Sequence, residues 1–252
     1  WYEHMPVRRA ALPRGPDVRA WRAFRFGDLA TMPVLDTRQH RSKQPCGDGG
    51  KANCAEAEEP GRTMLGEAQE NWLARLLRES RAPWQILAQQ VTFSQFDWRS
   101  FPWTKAGETD VHNMDSWDGA KAARRRVMAM LRAAPEPNPV VLSGDIHMAV
   151  ALEMREDWNS AASPCVGVEF VSTSISSGGD GVARLANEDI VLGANPHMKL
   201  ISNRRGYTLH TVTPKEWRAD YRALERISVA GAPVTTLRSF VVEKGKPGLA
   251  DA

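Results

Sequence analysis

Residues 138–147, NPVVLSGDIH, set one piece of architecture on their own. Val140, Val141 and Leu142 form a short apolar run stopped by Ser143 and Gly144, which predicts a buried strand. In extended backbone, residues two apart point to the same side, so Asp145 and His147 are expected to converge on one point past the strand's carboxyl end. Ligands in α/β sheets bind at such strand ends. A carboxylate beside an imidazole suits a transition metal or a mixed pair of ions. The same residues also make an ordinary turn, with the carboxylate bonded to backbone amides and the histidine satisfied structurally.

The flanking sequence reads as α/β. Trp21, Ala23 or Phe24, and Phe26 alternate, and residues 32–38 follow as a more buried strand, with Asp36 and Arg38 at its end. Residues 42–62 form a long polar loop, a length that in a compact domain is functional or mobile. Leu65, Gln69, Trp72, Leu73, Leu76 and Leu77 then fall on one helical stripe, with the Thr63 hydroxyl as N-cap and Pro83 as terminator. Residues 84–91 return to strand, where at least one of Gln89 and Gln90 needs a buried partner. A helix over 119–134 places Val127, Met128 and Leu131 on one face and leads into the Asp145 strand. Further strands are predicted over 166–174, 206–212, 217–224 and 239–243, the last three alternating well enough for an antiparallel meander with one wet face. Between these elements, residues 94–120 have no period and mix Trp98, Trp103 and Trp117 with Asp97, Asp110, Asp115 and Asp118. That composition fits a substrate rim or lid, or aromatic anchoring of a loop.

Composition removes several function classes. The 33 basic and 30 acidic residues leave a net charge of +3, too balanced to indicate specific nucleic-acid recognition. The densest basic cluster, Arg124 to Arg126, lies in the second helix and is expected on its solvated face. No stretch approaches the roughly 20 apolar residues of a transmembrane helix. The chain opens at Trp1 without an initiator Met or a signal-peptide pattern, so further chain is expected before it. Cys46 and Cys54 flank a Gly-rich loop in which two sulfurs can meet; a bridge there implies an oxidising compartment, and the alternative, a metal site, lacks further ligands at zinc spacing. Cys165 precedes a strand-like run and reads as core.

Seven segments, in order, resemble the alkaline phosphatase D (PhoD-like) metallophosphatases: YEHMPVR at 2–8, LDTRQHR at 35–41, MLGEAQENWL at 64–73, DSWDG at 115–119, LSGDIH at 142–147, EFVSTSIS at 169–176, and NPHMK at 195–199 with RGY at 205–207. The resemblance implies a calcineurin-like metallophosphoesterase β-sandwich flanked by helices, with residues 1–252 as the C-terminal part of a single such domain, incomplete at its N-terminus. It also implies hydrolysis of phosphomonoesters or phosphodiesters by a metal-activated oxygen nucleophile at an iron and calcium (Fe, Ca) cluster, in a periplasmic or secreted protein. Asp145 and His147 match the family's Gly-Asp-x-His metal ligands. The family's other ligands belong to an N-terminal half outside these residues, and two ligands alone hold a catalytic ion weakly. The alternative is therefore an inactive fragment or a structural remnant of the fold. Asn195, His197 and Arg38 are the remaining candidates, for contact with substrate or with a metal ligand. Bracing of a loop by the first two, and an internal ion pair for Arg38, are the competing readings. The substrate is expected to be a small molecule or a phosphodiester; no partner chain can be named.

Overall fold

A computed structural model describes residues 2–5, 7–15 and 18–252. Trp1 and Pro6, part of the opening segment read above, lie outside the described residues, as do Pro16 and Asp17. Among the described residues the chain is built around a seven-stranded mixed sheet. Its strands are β1 (Arg22–Phe26), β2 (Ala30–Val34), β4 (Trp84–Ala88), β6 (Pro139–Ser143), β7 (Ala149–Arg155), β8 (Cys165–Val171) and β9 (Met198–Ser202), in the spatial order β1-β2-β4-β6-β8-β7-β9. The middle four, β2, β4, β6 and β8, run parallel, so their carboxyl ends share one side of the molecule. Two three-residue strands, β3 (Gly50–Ala52) and β5 (Val111–Asn113), pair separately.

Side-chain alternation in the central strands decides what covers each face. Val140 and Val141 are both buried, one on each side of β6, and Ile86 and Leu87 repeat the pattern in β4. On one face Leu87 and Val141 pack against helices α1 (Glu67–Glu79) and α2 (Lys121–Arg132) through Leu73, Leu77, Val127 and Leu131. On the other, Ile86, Val140, Val168 and Phe170 meet Trp217, Ala219, Tyr221 and Phe240 of a second sheet. That sheet is an antiparallel meander of β10 (Gly206–Val212), β11 (Glu216–Leu224), β12 (Val234–Glu243) and β13 (Lys246–Asp251). The sheets are pinned to each other by polar contacts as well: Trp84 Nε1 donates to the Thr213 carbonyl at 2.7 Å, and Tyr221 Oη to the Val150 carbonyl at 2.6 Å. A third apolar cluster, with α3 (Glu188–Ala194), closes β7 and β9 under the loop carrying Phe96, Trp98 and Phe101. The result is an α/β fold in which two sheets sandwich a core and helices flank the larger sheet.

Several sequence expectations shift. The strands β3, β5, β7, β9 and β13 are not legible in the sequence: every residue of β7 is buried, β9 does not alternate between buried and exposed, β13 carries Pro247 and Gly248, and β3 and β5 have three residues each. Helix α1 starts at Glu67, and Thr63 caps the turn before it, its hydroxyl oxygen accepting from the amides of Leu65 and Gly66 at 3.1 and 2.8 Å. The 42–62 loop is not free-running, since it contains β3 and is closed by a Cys46–Cys54 disulfide. Arg124 corrects the solvated-face expectation for the basic triplet. It is 3% exposed and bonded at 2.5 Å to Asp118, which is wholly buried, while Arg126 pairs with Glu70 and only Arg125 is exposed. Cys165 is half-buried at the start of β8.

Candidate functional site

Three carboxyl ends of the parallel strands deliver the polar residues. After β2 the chain turns through Asp36, whose carboxylate accepts from the amides of Arg38 (2.9 Å) and Gln39 (3.0 Å). Two glutamines rivet this turn to its neighbours. Gln69 of α1 accepts from the Asp36 amide at 2.8 Å and donates to its carbonyl at 2.9 Å. Gln90, just past β4, accepts from the Thr37 amide and hydroxyl at 2.9 and 2.7 Å and donates to the Leu35 carbonyl at 2.8 Å. Gln89 satisfies the Val91 amide and the Trp117 indole N–H, each at 3.1 Å. The backbone that aims Arg38 is therefore held by the Asp36 carboxylate and by two glutamine side chains, Gln69 buried and Gln90 exposed.

After β6, Gly144 leads into Asp145 and His147, both exposed, with Ile146 between them packed into the third apolar cluster. The premise of extended backbone does not hold here. Asp145 has φ 73° and His147 φ 56°, so each occupies the left-handed region, which costs a non-glycine residue on the order of 1 kcal/mol. The two side chains are brought out by a bend instead of by pleat alternation. Beneath the end of β6 lies Glu169, wholly buried on β8, which accepts from the amides of Phe93 (2.8 Å) and Ser94 (2.7 Å) and from the Ser143 hydroxyl. Burial raises its pKa in spite of those bonds.

Arg38 and Asp145 meet: Nη2 lies 3.2 Å from Oδ1, and Nη1 of the same guanidinium is 2.7 Å from Asp115 Oδ2. Asp115 also receives Arg41 at 2.8 Å and the Gln44 amide at 2.8 Å. Burial would raise the Asp115 carboxyl, but hydrogen bonds from Arg38 and Gln44 and the charges of Arg41 and Arg38 override it and hold the pKa below the usual range. Burial alone would lower Arg38, and the two carboxylates raise it. Asp115 and Arg41 are members of this four-charge cluster that sequence reasoning missed, although both lie in segments that carried the family resemblance. Their partners are more than 70 residues away, which no local pattern reports.

The other candidates lie elsewhere. Asn195 is 1% exposed and exchanges hydrogen bonds with the Asp97 amide (2.8 Å) and carbonyl (3.0 Å); His197, also 1% exposed, bonds the Gln95 carbonyl at 2.7 Å. Burial lowers the His197 pKa to about 4, so its ring is neutral at physiological pH. Both side chains brace residues 95–97, and no hydrogen bond joins either to Asp145 or His147. In the same region Phe96, Trp98 and Phe101 are buried, with Phe96 stacked on Trp98 and Phe101 edge-on to both, so these aromatic residues anchor the loop, while the Trp103 ring is largely exposed.

As a metal site this arrangement is partial. Asp145 and His147 offer donor types that suit a transition metal. Among the described residues, however, no group of three or more His, Cys, Asp or Glu side chains is placed to hold an ion.

The sequence model of PhoD-like phosphatases matches residues 1–221. The chain belongs to the PhoD-like phosphatase family. Within that family it is similar to the alkaline phosphatase D of Bacillus subtilis (strain 168), with 42% identity over 249 residues, 99% of this chain and 42% of that protein. A solved structure described as the structure of PhoD superposes with a TM-score of 0.91 at 41% identity, covering 100% of this chain and 47% of the other. The chain thus spans less than half the length of the PhoD relatives it matches. No described helix is long and apolar enough to cross a membrane.

Proposed function

We propose that this chain is the C-terminal part of a metal-dependent phosphoester hydrolase acting on phosphomonoesters or phosphodiesters, with Asp145 and His147 as two of the metal donors. The observation that carries the reading is the placement of this pair, exposed on a strained bend at the carboxyl end of a central parallel strand, in a chain 42% identical to an alkaline phosphatase D. Iron and calcium are the proposed ions, and a bound cation supplies Lewis acidity toward phosphate oxygens. Arg38 is the proposed phosphate contact. Two of its five N–H groups are engaged by Asp115 and Asp145, which leaves donors for an anionic oxygen while fixing the plane of the fork. The lack of a third donor among the described residues favours a second statement: these 252 residues alone turn over little substrate, and the remaining donors come from other polypeptide. The disulfide supports a periplasmic or secreted location.

The test is Asp145→Asn in the longer enzyme, assayed on p-nitrophenyl phosphate and bis(p-nitrophenyl) phosphate. Loss of kcat/KM by more than about 100-fold, beyond what removing an outer hydrogen bond produces, is expected together with loss of bound metal by elemental analysis. Near-normal turnover would sink the ligand assignment.

A further inference from the structure

Arg205, between β9 and β10, is 2% exposed, and among the described residues no carboxylate lies within ion-pair distance of it. Its acceptors are all neutral: the Ser174 hydroxyl at 2.5 Å and the carbonyls of Ser177 and Asn203. Burying a cation without a countercharge is expensive, and a packing role alone would be met more cheaply by an apolar side chain. What the guanidinium gathers is the Ser- and Gly-rich loop after β8, residues 172–181. Ser174 donates to the Ser177 carbonyl at 2.8 Å while accepting from Arg205, so the fork fixes Ser177 twice, directly and through Ser174. Gly178 lies over the guanidinium at φ 88°, a left-handed conformation that side chains rarely adopt. The loop in turn reaches His147. The Ser177 hydroxyl lies 3.3 Å from Nδ1 of the His147 imidazole, and the Thr173 hydroxyl donates to the His147 backbone carbonyl at 3.3 Å.

We propose that Arg205 is a positioning residue for His147, acting through Ser177 to hold the imidazole as its Nδ1–H tautomer with the Nε2 lone pair free. Among the described residues the His147 ring makes one hydrogen bond, through Nδ1 to the Ser177 hydroxyl, and this is the contact that can fix its direction. A serine hydroxyl can accept from Nδ1–H or donate to Nδ1; in the proposed tautomer it accepts, which leaves Nε2 as the nitrogen able to bind an electrophile, as outer hydrogen bonds do for ligating histidines elsewhere. The use of that lone pair rests on the role proposed for His147 above. The tautomer itself does not, and it can be read without metal or turnover.

The experiment is long-range ¹H–¹⁵N NMR of the imidazoles in the metal-free chain near pH 9, well above the ordinary imidazole pKa of about 6.5, with His147 assigned by its loss in His147→Gln. The expected result is an Nδ1–H pattern for His147 that reverts toward Nε2–H, the form favoured by free imidazole, in both Ser177→Ala and Arg205→Lys. An Nε2–H pattern in the unsubstituted chain, or an Nδ1–H pattern retained in Ser177→Ala, would overturn the proposal, and retention in a folded Arg205→Lys would remove the guanidinium from it. If Arg205→Lys does not fold, the unsubstituted chain still decides the point. A pinned guanidinium gives resolved, slowly exchanging Nη protons for Arg205, and a single averaged signal rejects the relay. Hydrolysis by the longer enzyme that survives Asp145→Asn would sink the ligand assignment while leaving these spectra unchanged.

Discussion

Asp145 shows what a single position can and cannot reveal. Its place was legible, because a buried apolar run stopped by Ser143 and Gly144 sets it at the carboxyl end of a strand. Its backbone was not, since nothing in Gly-Asp-Ile-His announces φ angles of 73° and 56°. Asp and His tolerate the left-handed region better than most residues but still pay for it. Asp145→Gly is therefore expected to leave the chain as stable or up to about 1 kcal/mol more stable, the relief of left-handed strain outweighing the added freedom of the unfolded glycine. Chemical denaturation checks this, and a clear loss of stability would mean that the Arg38 ion pair contributes more than an exposed pair ordinarily does. The same variant in the longer enzyme is expected to be inactive, a stability gain coupled to a functional loss. Gln69 and Gln90 mark the opposite limit: both were visible in the sequence as polar residues in apolar elements, yet their partners, 33 and 53 to 55 residues away, were not.

The irregular segment before α2 was correctly read as lacking a period, and its organisation could not be read because it is held by side chains rather than by a ladder. Its knot is His112, 3% exposed, whose two ring nitrogens both face acceptors: the Phe96 carbonyl at 3.0 Å and Asp110 Oδ1 at 2.9 Å, with Asp118 at 3.6 Å. A ring with acceptors on both nitrogens is an imidazolium. Against the cost of burial, the charge of Asp118, helped by the Phe96 carbonyl and Asp110, raises the pKa to about 9, although the buried Arg124 shares Asp118. The folded pKa stands above the unfolded value of 6.5, so this stabilisation is complete below about pH 6.5 and is lost as pH rises through 9. At 1.36 kcal/mol per pKa unit the effect is at most about 3 kcal/mol. His112→Gln is expected to flatten the alkaline fall in stability between pH 6 and 10, measured by urea midpoint. An unchanged alkaline limb would place the titration elsewhere. Because Asp97, Asn195 and His197 tie the same segment to α3 and β9, its loosening should expose Trp98, which is 4% exposed when folded, and shift tryptophan fluorescence in step.

For the molecule as a whole, the core between the two sheets carries the fold. The sheets seal each other through Trp84, Trp217, Phe170 and Tyr221, independently of the charges at the strand ends. Tyr221→Phe removes the buried hydroxyl that bridges them and is expected to cost about 1 to 2 kcal/mol, leaving the Val150 carbonyl short of a partner, without altering the Asp145 region. Thermal unfolding with the Arg38 and His147 resonances as reporters checks both halves of that statement.

The parallel order of β2, β4, β6 and β8 also sets a sequence of events in time. Arg38 and Asp145 are 107 positions apart and Arg38 and Asp115 are 77 apart, so their contacts wait for every intervening crossover to find its place. Strand pairs of such separation form slowly, after local helices and hairpins. In refolding from denaturant, helix signal and the β10 to β13 meander should return early and the charge cluster last. A protease pulse during that interval is therefore expected to cut the strand-end face while sparing the second sheet, and equal protection of both would reject this order of assembly.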